Sequence, residues 1–238
     1  MVFREFKDGE EKFAEIERLK EKFFTIGGNH KVGCLKELRE EYENFLAKND
    51  SEEIDDLVQI ITANLIYLNT DSRDKARACI NHVWDKLIAK EELSLYEIRI
   101  LNPILFAASS TEELIAVTNK CLQNLCLYRY NPFYVPLRIS ILTNLIQSLM
   151  DDKFFSEDYE EEYDNLIKEY TSEIIELNVN SEKKHDSQVA LALTYKGVVM
   201  KDKDLFRAGI SYLETLKVDF SKIDRAIKFY MDRYDIVR

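Results

Sequence analysis

Six glycines and three prolines are all that this chain of 238 residues carries, and that scarcity decides the fold class. A sheet-rich chain of this length needs many turn residues to reverse its strands, whereas helices joined by short polar links do not. No turn-bounded run of Val, Ile and Thr with period-2 alternation appears in it. Apolar residues instead recur at three- and four-residue spacings, the pattern of a helix that buries one face. A composition of 46% hydrophobic and 32% charged residues suits a folded chain with a sizeable core. The expectation is an all-α protein.

Start and stop signals divide the chain into about eleven helices. The first is expected from about Gly9 to Thr25, with a stripe of Phe13, Ile16, Leu19, Lys20, Phe23 and Phe24, and Gly27-Gly28-Asn29 ends it. The second spans about Lys31 to Lys48. Asp50 with Glu53 opens the third, which runs to Leu68, and the fourth covers about Ser72 to Ala89. Ser94 with Glu97 caps the fifth, read as one helix to Phe106 that bends after Asn102 because Pro103 removes a hydrogen bond. Ser110 with Glu113 caps the sixth, which reaches about Leu127. Asn131-Pro132 starts the seventh, which ends near Met150. An acidic run, Asp151, Asp152, Glu157, Asp158, Glu160, Glu161, Glu162 and Asp164, reads as a solvated loop and the start of the eighth helix. The last three helices are expected from about His185, Lys203 and Ser221.

Short links make neighbours antiparallel, and every second helix start recurs after about forty residues, within the range of helical repeats. The architecture expected is a right-handed superhelix of antiparallel hairpins filling residues 1–238 as one domain, with a compact irregular bundle as the alternative. Leu205, Ala208, Tyr212 and Leu213 take packing positions like those of a tetratricopeptide hairpin.

In such a solenoid alternate helices line the concave side. The seventh helix holds Arg138 as its one charge before Met150, and Ser140, Thr143, Asn144 and Gln147 share a face that is polar yet uncharged. A plain solvent face would carry Lys and Glu. Helices of the same parity add Gln59 with Thr62 and Ile66, Arg99 with Asn102 and Phe106, and Gln188 with Ala192 and Tyr195. Amide side chains can pair with both backbone N–H and C=O, aromatic rings supply pockets, and a guanidinium pairs with a carboxylate. That chemistry suits an extended peptide. The competing reading puts Asn144 and Gln147 in interhelix bonds, and the face of residues 95–106 at the solvated edge of an ordinary core helix. Arg138 is expected in a partly buried ion pair with Glu97 or an acid of the eighth helix.

The net charge of −11 makes the chain a poor holder of polyanions by itself. No basic-then-apolar leader or long apolar run is present, so a cytoplasmic protein without a membrane partner is expected. Cys34, Cys79, Cys121 and Cys126 lack paired spacing and read as buried free thiols. With only His30, His82 and His185 available, neither a metal nor a cofactor is expected. The chain has no phosphate-binding glycine loop and no Ser-His-Asp order, so an enzyme is not expected.

The segments LSLYEIRILNPILF and STEELIAVTNKCLQNL resemble the hallmark of the Rgg family (also called MutR or GadR) of Gram-positive transcription regulators. Downstream, ISILTNLIQSLMDDKFF is similar to that family's helix with an inward Asn, here Asn144, and TYKGVVMKDKDLFRAGISYLETL to its glycine-containing hairpin. The resemblance implies a tetratricopeptide-like domain that binds short secreted hydrophobic peptides, and a homodimer built through residues 203–238. Members begin with a helix-turn-helix, and nothing before the first helix here is one. DNA contact is therefore expected only through a domain absent from this chain. Asn102 stands one place before the family's Asn, where Pro103 sits, which moves the weight of the carry-over to Asn144. A scaffold that holds a partner protein's helix or tail is the alternative function.

Overall fold

The protein is described by a computed structural model. It covers residues 2–26, 32–70, 72–155, 160–217, 227 and 229–231, with side chains from residue 10 onward. The expected turn at Gly27-Gly28-Asn29, residues Glu157 and Asp158, and the Ser221 cap with most of the last helix lie outside them. Every regular element among the described residues is helical. In order they are α1 (Val2–Ile26), α2 (Val32–Leu46), α3 (Glu52–Thr70), α4 (Arg73–Ile88), α5 (Leu95–Leu101), a 3-10 segment (Asn102–Ala107), α6 (Thr111–Leu125), a 3-10 turn (Cys126–Tyr128), α7 (Tyr134–Phe155), α8 (Tyr163–Asn180), α9 (Asp186–Met200) and α10 (Lys203–Thr215). Residues 227 and 229–231 are also helical. The chain forms two compact units, residues 1–108 and 109–238.

In the first unit Trp84, Tyr42, Ile54, Leu57 and Ile60 are fully enclosed. α3 packs between α2 and α4, and also meets α1 and the 3-10 segment. The Tyr42 hydroxyl donates to the Leu19 carbonyl, tying α2 to α1. Lys86 on α4 reaches Asp56 on α3 at 2.9 Å, which pairs an otherwise costly buried carboxylate. On α1 the apolar stripe is shorter than its sequence suggests: Leu19 and Phe23 are buried, whereas Phe13 is exposed.

Side-chain bonds fix the directions of the helices in the second unit. Arg138 of α7 meets Glu173 of α8, and Lys153 meets Asp164 at 2.7 Å, so residues far along one helix face residues early on the other. α7 and α8 are thus antiparallel. Tyr163 and Tyr170 of α8 reach Glu112 and Asn119 of α6, both across 51 residues of chain, so α6 and α8 run parallel. α7 packs against α9 as well as against α6 and α8. In this unit α6 therefore touches α8, and α7 touches α9, past the helix between them in the chain.

α9 and α10 approach most closely, and two glycines make this possible. A Cβ on Gly197 would lie 2.5 Å from the Phe206 backbone nitrogen, and one on Gly209 would lie 2.6 Å from that of Thr194. Real Cβ contacts do not fall that short, so the two backbones meet where neither glycine has a side chain. Phe206, beside the pair, is fully buried and meets the Tyr230 ring at a tilt of 49°, with centroids 5.0 Å apart.

Four local expectations are corrected. α3 is capped by Ser51, whose hydroxyl accepts from the Ile54 N–H, and not by Asp50. The helix expected through Phe106 ends at Leu101 and continues as a 3-10 segment with Pro103 near its start. Pro103 cannot donate the next α-type bond, and the tighter winding accommodates it. α7 begins at Tyr134, since the Asn131 side chain accepts from the Phe133 N–H in a local turn. It also runs on to Phe155, so Asp151 and Asp152 are buried in its last turns and not solvated; Asp152 accepts from the Thr111 hydroxyl at 3.0 Å.

The cap of α5 is reciprocal, as Ser94 and Glu97 predict: Glu97 accepts from the Ser94 N–H at 2.7 Å and the Ser94 hydroxyl from the Glu97 N–H at 3.3 Å. Burial would raise the Glu97 pKa, but hydrogen bonds from Lys90 and Ser94 outweigh it and hold the carboxyl below its usual value. A lowered folded pKa contributes stability above the unfolded carboxylate pKa, near 4.3, and loses it as the pH falls through the folded value. Glu97→Gln is expected to cost about 1 kcal/mol at pH 7 and almost nothing near pH 3. Urea titrations at the two pH values check this; an equal cost at both would remove the carboxylate from the account.

Candidate functional site

α7 carries the feature that sets it apart from the other helices. From Ile139 to Asp152 every residue is buried except Ser140, Asn144 and Gln147. Spacings of four and three place them in one line along the helix. α6, α8 and α9 pack against α7, and between Ile139 and Asp152 this line is its one partly exposed strip. The strip is uncharged. The open faces of α2, by contrast, carry Lys36, Glu37, Glu40 and Glu43.

Arg138 lies just before the strip and is neutralised by Glu173 on α8, as its sequence context predicts. Burial works to lower the Arg138 pKa, but the hydrogen bond from its guanidinium to Glu173 prevails and keeps the group charged. With the pair formed, the strip is polar and carries no net charge.

Not every expected contact belongs to it. Thr143 is buried and its hydroxyl donates to the Ile139 carbonyl at 2.8 Å, a bond within the helix. Tyr195 is fully buried, as is Ala192 beside it, so the face of α9 expected to line a groove is core. The period of α9 could not show this, because apolar residues surround the helix on nearly every side.

The other candidates lie in the first unit. Phe106 stacks flat on Tyr67 of α3, with ring centroids 4.3 Å apart, and α3 also carries Gln59, whose amide donates to Asp55 at 2.8 Å. Asn102 is half-buried at the junction between α5 and the 3-10 segment. Arg99 is engaged: its guanidinium lies 3.6 Å from the centre of the Phe24 ring and 3.4 Å from Glu21. It pins α5 to α1, and Phe24 also meets Tyr96 edge-on. The Phe23-Phe24 pair was visible in the sequence, but nothing local tells which distant helix it will meet.

A cleft of about 580 Å³ opens where α2 gives way to α3, lined by Leu46, Lys48, Asn49, Asp50, Ser51, Glu52 and Asp55. It contains none of the candidates. Among the described residues no three His, Cys, Asp or Glu side chains are placed to hold a metal ion, and no helix is long and apolar enough to cross a membrane. Cys121 is a buried thiol, as expected, and desolvation pushes its pKa up to about 12; Cys126 is exposed instead. No protein-family model, curated protein or solved structure matches the chain.

Proposed function

We propose that this chain is the ligand-sensing part of a bacterial transcription regulator, and that it takes a short hydrophobic peptide along the open strip of α7. The observation that carries the reading is the strip itself. Ser140, Asn144 and Gln147 form a polar, uncharged and partly exposed line on a stretch of α7, Ile139 to Asp152, that is otherwise buried. An extended peptide has the matching pattern: backbone N–H and C=O groups spaced along one edge, with apolar side chains between them. The likeness of this helix and its neighbours to Rgg regulators supports the same ligand class, and the antiparallel hairpins support a right-handed solenoid as the frame. Thr143 and Tyr195 act in this account as supports under the strip. Arg99, held by Phe24 and Glu21, is a strut within the first unit. A homodimer through residues 203–238, a cytoplasmic location and control of an attached DNA-binding domain complete the proposal. Peptide binding would bias two arrangements of the protein and so pass the signal on.

Isothermal titration with a library of short hydrophobic peptides tests the reading. Asn144→Ala is expected to weaken a binding peptide about tenfold or more, the loss of one or two hydrogen bonds to backbone. Its far-ultraviolet circular dichroism should match that of the parent chain. No binding peptide, or full affinity in both Asn144→Ala and Gln147→Ala, would overturn it. Capture of one stable protein partner on the same strip would instead favour a scaffold.

A further inference from the structure

The connections α6–α7 and α8–α9 fall at the same end of the second unit, because α6, α7, α8 and α9 alternate in direction. Large apolar side chains stand out from that end. Leu127 is 71% exposed, Tyr130 88% and Phe133 48% on the first connection, and Val179 is 69% exposed at the end of α8. Burial of such groups is the main stabilising effect in folding, so several of them left in water at one end mark a contact surface. The same end carries exposed Arg129, Lys183 and Lys184, the last donating to the carbonyls of Asn178, Val179 and Ser181, against exposed Glu176 and Glu182. The Arg129 guanidinium lies 4.9 Å from the centre of the Tyr130 ring.

We infer that this end of the second unit docks on an anionic lipid surface, with Tyr130 and Leu127 entering the interfacial layer and the cations meeting the headgroups. Three observations select that occupant. The apolar side chains are protruding knobs, and a deformable bilayer accepts knobs without preformed pockets, whereas a protein partner must supply a fitted hole for each. Tyrosine beside arginine combines an apolar body with a polar tip, the chemistry that settles at headgroup depth. The charge also has a direction: this end is locally basic while the whole chain carries −11. A negative surface attracts cations brought up to it, while acids held farther away than a screening length of about 8 Å in physiological salt are largely screened from it. A second copy meeting the same end would bring like charges together. Such a surface contact needs no spanning helix, and it does not depend on the peptide reading of α7.

Vesicle sedimentation of the full chain tests the inference. Phosphatidylcholine vesicles doped with phosphatidylglycerol should retain the protein, pure phosphatidylcholine should retain much less, and added salt should release it. The double substitution Leu127→Ser with Tyr130→Ser should weaken retention about tenfold or more. Arg129→Glu with Lys183→Glu should abolish the preference for the anionic lipid. All four positions are exposed, so far-ultraviolet circular dichroism should stay unchanged in both variants. Absence of retention on the doped vesicles would overturn the inference, as would equal retention of the variants. Self-association of the lipid-free chain that disappears in the Leu127/Tyr130 variant would overturn it too, by assigning this end to a second copy.

Discussion

Gly209→Ala is expected to destabilise the second unit, although the same change usually strengthens a helix. In an unobstructed helix interior, alanine gains up to about 1 kcal/mol over glycine. Here the added methyl would meet the Thr194 backbone nitrogen at 2.6 Å. Backbone within a packed helix cannot swing aside as the tip of a long side chain can, so α9 and α10 must move apart. Thr194, Phe206 and Leu213, all fully buried near this crossing, would lose contacts together. Overpacking costs of about 1–3 kcal/mol are usual, and a clash with main chain belongs at the upper end. Net of the helix gain, a loss of about 2 kcal/mol is expected, or roughly 5–10 °C in the melting temperature. Gly197→Ala should behave alike, since its methyl would strike the Phe206 backbone. Gly33→Ala supplies the opposite sign. Nothing lies within 4 Å of a Cβ at that position of α2, so a slight gain of about 0.5 kcal/mol or less is expected. Thermal melts of the three variants, followed by circular dichroism, decide the matter. A stabilised Gly209→Ala would mean that the two backbones are not in contact.

Trp84→Ala carries the largest expected loss in the first unit. Trp84 is fully buried on α4, and the Arg77 guanidinium sits 5.2 Å from its ring centre. Truncation of an enclosed aromatic of this size costs about 3–5 kcal/mol, from lost transfer free energy and the cavity left behind. Trp84→Phe keeps most of the volume and should cost clearly less. Urea midpoints by circular dichroism rank the three proteins. Trp84 is the single tryptophan of the chain, so the parent protein's emission reports its surroundings alone. Emission typical of a buried indole, shifting to the red as urea unfolds the first unit, is the expected result. A water-like emission before any urea is added would contradict the enclosed position.

The helices were legible because glycine and proline are rare and because capping residues mark the starts. Ser94 with Glu97, and Ser110 accepting from the Glu113 N–H, hold as the residues predict. The ion pair of Arg138 with an acid of α8 was legible for a similar reason: a lone charge on an aliphatic helix has to be met. Boundaries failed where two signals compete within a few residues. At α3 a serine displaced the neighbouring aspartate as cap, and at α7 an Asx turn delayed the helix past the proline. The acidic run misled because its charges differ in setting. Asp151 and Asp152 are enclosed against a hydroxyl or a neighbouring helix, whereas Glu160, Glu161 and Glu162 are exposed. For the candidate site, periodicity put Ser140, Asn144 and Gln147 on one line correctly. It could not tell which helix would be covered on all sides, and so it added Tyr195 and Thr143, which are core. The engagement of Arg99 by Phe24 and Glu21 spans most of the first unit's chain length, and no local pattern carries such information.

The parallel setting of α6 and α8 has a consequence for how this chain can change its length. Each of the two cross-links between them spans 51 residues, 112–163 and 119–170, and α7 lies inside both. A residue inserted within α7 would turn the remainder of that helix by about 100°. Whatever lies beyond the insertion would then trade places, with Gln147 driven inward and a leucine or methionine turned to face water. The connections at either end of α7 impose no such rotation. Length variation should therefore collect in those connections, while the helix between them keeps its count.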